Sequence, residues 1–113
     1  MRNTGAAGEA AKKSDRSEQS AMLLRVLGEQ LRRLRLAENC SQEELACASG
    51  IGMSTLKRLE GGRGCHLSSL ADVLVQLGLA DPLLDFFQEQ VREAQAADTS
   101  RRRASRSRAS SPE

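Results

Sequence analysis

The sequence predicts an all-α fold of five helices between two tails. Three observations lead there. Between about positions 20 and 97, apolar residues recur every three to four places, and no segment alternates with the period of two that a half-buried strand needs. Helix-stopping and helix-starting residues (Asn39, Ser41, Gly50, Gly61, Gly62, Gly78, Asp81-Pro82) cut that stretch into five pieces. On either side, residues 1–19 hold no apolar side chain larger than alanine after Met1, and residues 98–113 are dominated by arginine and serine. Such segments bury too little surface to offset the entropy of ordering. A disordered arm over 1–19, a folded domain over 20–97 and a disordered basic tail over 98–113 are therefore expected.

Helix 1 carries Leu24, Leu27, Leu31 and Leu34 at i, i+3, i+7 and i+10, one leucine stripe with arginines around it. Asn39, which tolerates the left-handed conformation, is placed to end it. Ser41-Gln42-Glu43-Glu44 follows as a capping box, with Cys40 and Leu45 positioned for the accompanying hydrophobic staple. Helix 2 is short because Gly50 comes so soon. Helix 3 is expected over 53–60, with Leu56 and Leu59 inward and Gly61-Gly62 as the stop. Helix 4 spans 67–77, turning Leu67, Leu70, Val73, Leu74 and Leu77 inward before Gly78. Helix 5 starts with Asp81 as N-cap and Pro82 at N1, where a missing N–H costs nothing. It carries Leu83, Leu84, Phe86, Phe87 and Val91 and is expected to continue to about position 97.

Composition removes several functions. The 17 basic and 15 acidic residues leave a net charge of only +2, but they are segregated. Residues 21–63 and the tail are basic, whereas residues 64–98 set Arg92 alone against Asp72, Asp81, Asp85, Glu89, Glu93 and Asp98. That pattern suggests one side facing a polyanion and another side facing elsewhere. Phe86 and Phe87 are the only aromatic residues, which disfavours binding of single strands by base stacking. No run approaches the ~18 apolar residues of a membrane span, and no secretory signal opens the chain, so a cytoplasmic protein without membrane contact is expected. Cys40, Cys47 and Cys65 show no Cys-x-x-Cys spacing, and Cys65 beside His66 would strain tetrahedral ligation. No metal, no cofactor and reduced thiols are expected. No phosphate loop appears and His66 has no evident nucleophile partner, so no enzyme activity is expected either.

One constellation carries chemistry. A tight crossing of helices 2 and 3 needs a small residue at the contact, and Ala46 supplies it. The turn between them needs positive φ, which Gly50 allows. Leu45, Ile51, Leu56 and Leu59 fall where apolar anchors belong. Residues 42–61 thus read as a helix-turn-helix, whose second helix enters the major groove and here turns Met53, Ser54, Lys57 and Arg58 outward.

Over residues 27–79 the sequence resembles the phage-repressor-like (XRE, Cro/CI-type) helix-turn-helix family. The likeness is carried by Leu27-Gly28-Glu29-Gln30-Leu31-Arg32-Arg33-Leu34-Arg35, by Ser41-Gln42-Glu43-Glu44-Leu45-Ala46, by Ser54-Thr55-Leu56-Lys57-Arg58-Leu59-Glu60-Gly61-Gly62, and by 67–79. It implies a five-helix, lambda-repressor-like domain that binds a double-stranded operator, usually as a homodimer. By position, Gln42 looks like the family's phosphate-contacting glutamine. Gly52, Met53, Ser54, Lys57 and Arg58 take groove-facing positions, and Thr55 and Arg63 flank the backbone. Glu60 looks like the structural glutamate that pairs with an arginine of helix 1, for which Arg35 is the candidate. Three departures stand out. Gly52 caps helix 3 without a side-chain acceptor, Met53 can touch a thymine methyl but cannot read guanine bidentately, and His66 replaces a capping Ser or Thr.

A narrower resemblance joins Asp81-Pro82-Leu83-Leu84-Asp85-Phe86-Phe87 and the arginine–serine tail to HipB-like regulators encoded beside a HipA-like kinase toxin. Leu83, Phe86, Phe87 and Val91 are more apolar surface than so small a domain can bury, which makes them the expected homodimer interface. The tail's arginines are suited to non-specific phosphate attraction. The leading expectation is a sequence-specific, dimeric transcriptional regulator that represses its own or a neighbouring operon. The alternatives are a HipB-like antitoxin that also holds a toxin kinase, and a protein-interaction adaptor that has lost DNA binding.

Overall fold

Local hydrogen-bonding devices close the first two helices and open the second. The computed structural model describes residues 9–110, which form α1 (Glu9–Ala37), α2 (Gln42–Ser49), α3 (Met53–Glu60), α4 (Leu67–Gln76) and α5 (Ala80–Ser110), with no strand among them. After α1, Asn39 adopts φ 55°, the N–H of Cys40 donates to the Arg35 carbonyl at 3.2 Å, and that of Asn39 to Leu36 at 2.9 Å. The same pair of bonds closes α2. Gly50 sits at φ 71°, Ile51 donates to Ala46 at 3.0 Å and Gly50 to Cys47 at 3.1 Å. Both are Schellman closures, which satisfy carbonyls that a helix end otherwise leaves orphaned.

The capping box at the start of α2 forms as the sequence predicts. Ser41 Oγ accepts from the Glu44 N–H at 3.0 Å, and Glu44 Oε1 accepts from the Ser41 N–H at 2.8 Å. Ser41→Ala should therefore cost about 0.5–2 kcal/mol, since one N–H loses its acceptor. A thermal melt matching the parent's would contradict that role.

The chain divides at Gly78 into a unit holding α1 to α4 and a second unit formed by α5. In the first, α3 packs on α1 and α2, and α4 packs on α2. Leu31, Leu45, Ala46, Leu56, Leu59 and Val73 form its buried apolar core. Ala46 of α2 is buried in this core.

Three boundary and burial expectations are corrected. Leu34 is 41% exposed and Leu24 close to that, while Arg35 is buried. The inward face of α1 thus runs through Leu27, Gly28, Leu31 and Arg35, a row that a count of leucines alone does not find. Leu67 is 79% exposed. As the first residue of α4 it precedes the turn that packs. Helix α5 begins at Ala80, so Asp81 is not its cap and Pro82 lies at the third position. The Leu83 N–H makes the first intrahelical bond, to Leu79 at 3.1 Å, so proline is still harmless there. Residues 9–19 and 98–110 are helical, and residues 1–8 and 111–113 lie outside the described residues. Alanine, glutamate, lysine and arginine are strong helix formers, and Asp98 bridges Arg101 and Arg102 one turn on. The side chains of residues 17–20 and 99–103 are exposed, so these residues add nothing to the core.

Candidate nucleic-acid interface

The face of α3 turned away from the core is set by its two leucines. At 100° per residue, Leu56 and Leu59 fall on one side and are buried, which leaves Ser54, Lys57 and Arg58 on the opposite side, all exposed. Met53 is partly exposed at the first turn, and Thr55 is half-buried at the edge. Gly52 is the N-cap, extended at φ −77°, and offers no side-chain cap, as the sequence implies. Arg63 is exposed in the loop after α3. Six of the residues singled out from sequence (Met53, Ser54, Thr55, Lys57, Arg58 and Arg63) therefore lie on or just after one short helix.

What holds that helix is a buried polar network. Arg35 Nε donates to Glu60 Oε2 at 2.7 Å and Nη2 donates to Oε1 at 2.9 Å, a bidentate fork. The remaining Arg35 nitrogen, Nη1, donates to the Cys40 carbonyl at 2.8 Å. This ties the end of α1, the start of α2 and the end of α3 together. The pairing of Glu60 with Arg35 is as the resemblance implies. Burial pushes the Glu60 pKa up. The hydrogen bonds from Arg35 and Gln42, with the charges of Arg35 and Arg32, outweigh it and hold the carboxyl below its ordinary value. The bond to Glu60 likewise keeps Arg35 protonated more firmly than usual, against its own desolvation.

Gln42 is the unexpected member. Its side-chain amide donates to Glu60 Oε1 at 3.0 Å and is half-buried. One amide hydrogen is thereby committed inside the protein and the other remains for an outside acceptor. Nothing in the sequence but the glutamine's position at the first turn of α2 pointed to this link.

Backbone contact completes the seat of α3. A Cβ on Gly28 would lie 2.3 Å from the Leu59 carbonyl oxygen and 2.9 Å from that of Glu60. The end of α3 rests on α1 at a distance that only glycine permits. A glycine within a helix, where it costs about 1 kcal/mol against alanine, was the available signal for such an approach.

A family model described as a helix-turn-helix domain matches residues 26–87, more than half of the chain. The protein belongs to the helix-turn-helix domain family. This helix-turn-helix chain is also similar to a solved structure, the clp gene regulator ClgR from Corynebacterium glutamicum. The two are 33% identical over 70% of this chain and 87% of that one, with a TM-score of 0.47. No curated protein matches it. Among the described residues of this helix-turn-helix protein, no group of three or more His, Cys, Asp or Glu is placed to hold a metal ion, and no single helix is long and apolar enough to cross a membrane.

The dimer residues expected from sequence lie on α5, which is described by itself. Leu83, Leu84, Phe86, Phe87 and Val91 are all exposed, the two phenylalanines at 56% and 55%. Their rings meet edge to face at 5.3 Å between centroids. Leu84, Phe87 and Val91 share one face at i, i+3 and i+7.

Proposed function

We propose that this protein is a sequence-specific DNA-binding transcriptional regulator that acts as a homodimer and represses its own or a neighbouring operon. The observation that carries the reading is α3. Its outward face is basic and free of carboxylates, while its inward face is fixed to α1 and α2 by apolar, backbone and ionic contacts at once. Such a helix suits the major groove. Lys57, Arg58, Ser54 and Met53 are the groove-facing side chains, with Gly52 allowing close approach. Thr55 and Arg63 flank the backbone, and Gln42 has one amide hydrogen left for a phosphate oxygen. The role is binding and not catalysis.

Lys57→Ala and Arg58→Ala should each weaken operator binding by about 1–3 kcal/mol where the side chain touches a base, with circular dichroism unchanged. The measurement is fluorescence anisotropy on duplexes from the region upstream of the gene, against random duplexes at the same salt. Unchanged affinity in both folded variants would overturn the role of α3.

The exposed apolar face of α5 supports the homodimer. One helix-turn-helix reads few base pairs, and two copies set about one DNA turn (~34 Å) apart read a useful operator. In an isologous contact each substitution acts twice. Phe86→Asp and Phe87→Asp should shift sedimentation to a monomer and reduce operator affinity together. A parent chain that sediments as a monomer at micromolar concentration would refute the homodimer. A monomer that pairs only with a co-expressed kinase toxin would favour the antitoxin reading.

A further inference from the structure

Among the described residues, eleven of the fourteen large apolar side chains that stay exposed lie on two helices, six on α1 and five on α5. At 100° per residue, Leu23, Val26, Leu27 and Leu34 share one side of α1, next to the row of Gly28, Leu31 and Arg35 that faces the core. Leu23 is 66% exposed, Val26 48% and Leu34 41%, so the α1–α4 unit leaves this side in water. On α5, Leu83, Leu84, Phe86, Phe87, Val91 and Ala94 take up nearly half the circumference, all exposed, with Asp85 and Glu89 opposite them.

The two faces match in length, charge and breadth. From Leu23 to Leu34 and from Leu84 to Ala94, each runs for about 15 Å at the rise of an α-helix. On the exposed part of α1, Arg25, Arg32 and Arg33 outnumber Glu29, whereas on the first half of α5, Asp81, Asp85, Glu89 and Glu93 outnumber Arg92. At the rims, Arg33 borders the α1 face, and Asp81 and Glu93 border the α5 face. Two copies of α5 laid together would instead join two acidic segments, which complementarity disfavours. The apolar arc of α5 is also wider than the seam of a two-helix pair, so self-pairing would leave part of it, and the whole α1 face, in water. We propose that α5 of one copy seats on the Leu23, Val26 and Leu34 face of α1 in a second copy. The contact is reciprocal, so a dimer contains it twice, related by the two-fold axis. It rests on the homodimer reading and names the surface that α5 meets.

The test is sedimentation of the full chain at a concentration where the parent is a dimer. Leu23→Glu and Val26→Glu alter exposed side chains away from α3 and keep good helix formers, so circular dichroism should match the parent's. Each should raise the dimer Kd about a hundredfold, roughly tenfold for each of the two contacts that it wets, as Phe87→Asp should. Mixing decides the pairing. Leu23→Glu keeps an intact α5 and Phe87→Asp an intact α1, so in a mixed dimer both lesions fall in one contact and the other is sound. The mixture should pair about tenfold more tightly than either variant pairs with itself. A dimer that ignores both α1 variants but dissociates on Phe87→Asp would overturn the α1 seat and leave the homodimer standing, with α5 paired to itself. A mixture no tighter than the separate variants would overturn the seat equally. A monomeric parent would overturn this contact and the homodimer together, and a lowered melting temperature of Leu23→Glu in that monomer would assign the α1 face to the chain's own α5.

Discussion

Arg35→Ala is expected to lower the stability of the α1–α4 unit by about 3–5 kcal/mol, the usual cost of removing one member of a buried ion pair. The Glu60 carboxylate would stay buried with only Gln42 as hydrogen-bond partner. The Cys40 carbonyl would lose its side-chain donor as well. Small domains hold only about 5–15 kcal/mol in total, so the variant should show a much lower urea midpoint and a visible unfolded fraction. Removing both charges tests the cause. Arg35→Met with Glu60→Leu should recover most of the loss, because it leaves no unpaired charge behind. A double variant as unstable as the single one would mean that the network acts through its geometry. The same pair sets an acid limit. The folded Glu60 pKa is lowered from its ordinary 4.5, so its contribution is fully present above about 4.5 and is lost as pH falls through the lower folded value. Glu60→Gln should flatten the fall in melting temperature over that window. A profile as steep as the parent's would assign acid unfolding to other carboxylates.

Gly28→Ala is expected to destabilise the same unit and to displace α3. The new Cβ would meet two backbone carbonyl oxygens, at 2.3 and 2.9 Å, and neither can rotate aside. Forcing atoms into a packed site costs about 1–3 kcal/mol, sometimes more. Alanine's better helix propensity returns at most about 1 kcal/mol, so the net sign is destabilising. The functional consequence separates this variant from a simple stability loss. Because the contact lies at the carbonyl end of α3, relief means moving that helix away from α1, which alters the presentation of Lys57 and Arg58. Duplex affinity per folded molecule should therefore fall even at temperatures where circular dichroism reports full folding. An alanine variant with parental melting and parental affinity would show that α1 and α3 can part freely.

Both variants act on features that differ in how far the sequence reveals them. The local devices were legible. Asn39 and Gly50 adopt the left-handed conformation, Ser41 and Glu44 cap each other, and Leu56 and Leu59 point inward, because each depends only on residues within one turn. The pairing of Arg35 with Glu60, 25 residues apart, was legible only through family likeness. Charge type alone would have allowed Arg32 or Arg33, which instead bridge Glu29 on the surface of α1. The start of α5 was less legible. Asp81-Pro82 reads as a cap and first helical position, yet α5 begins at Ala80.

By itself, then, the sequence determined the helical class, the stops of α1 and α2, the capping box of α2, and the outward set of α3, since periodicity and capping are local properties of the chain. The tertiary structure decided which residues of α1 face inward, that Gly28 touches the carbonyl end of α3, and that Gln42 shares the Glu60 carboxylate. Those outcomes depend on how helices distant in sequence approach one another. Side-chain volume, desolvation and hydrogen-bond geometry fix that approach only when all the partners are present together.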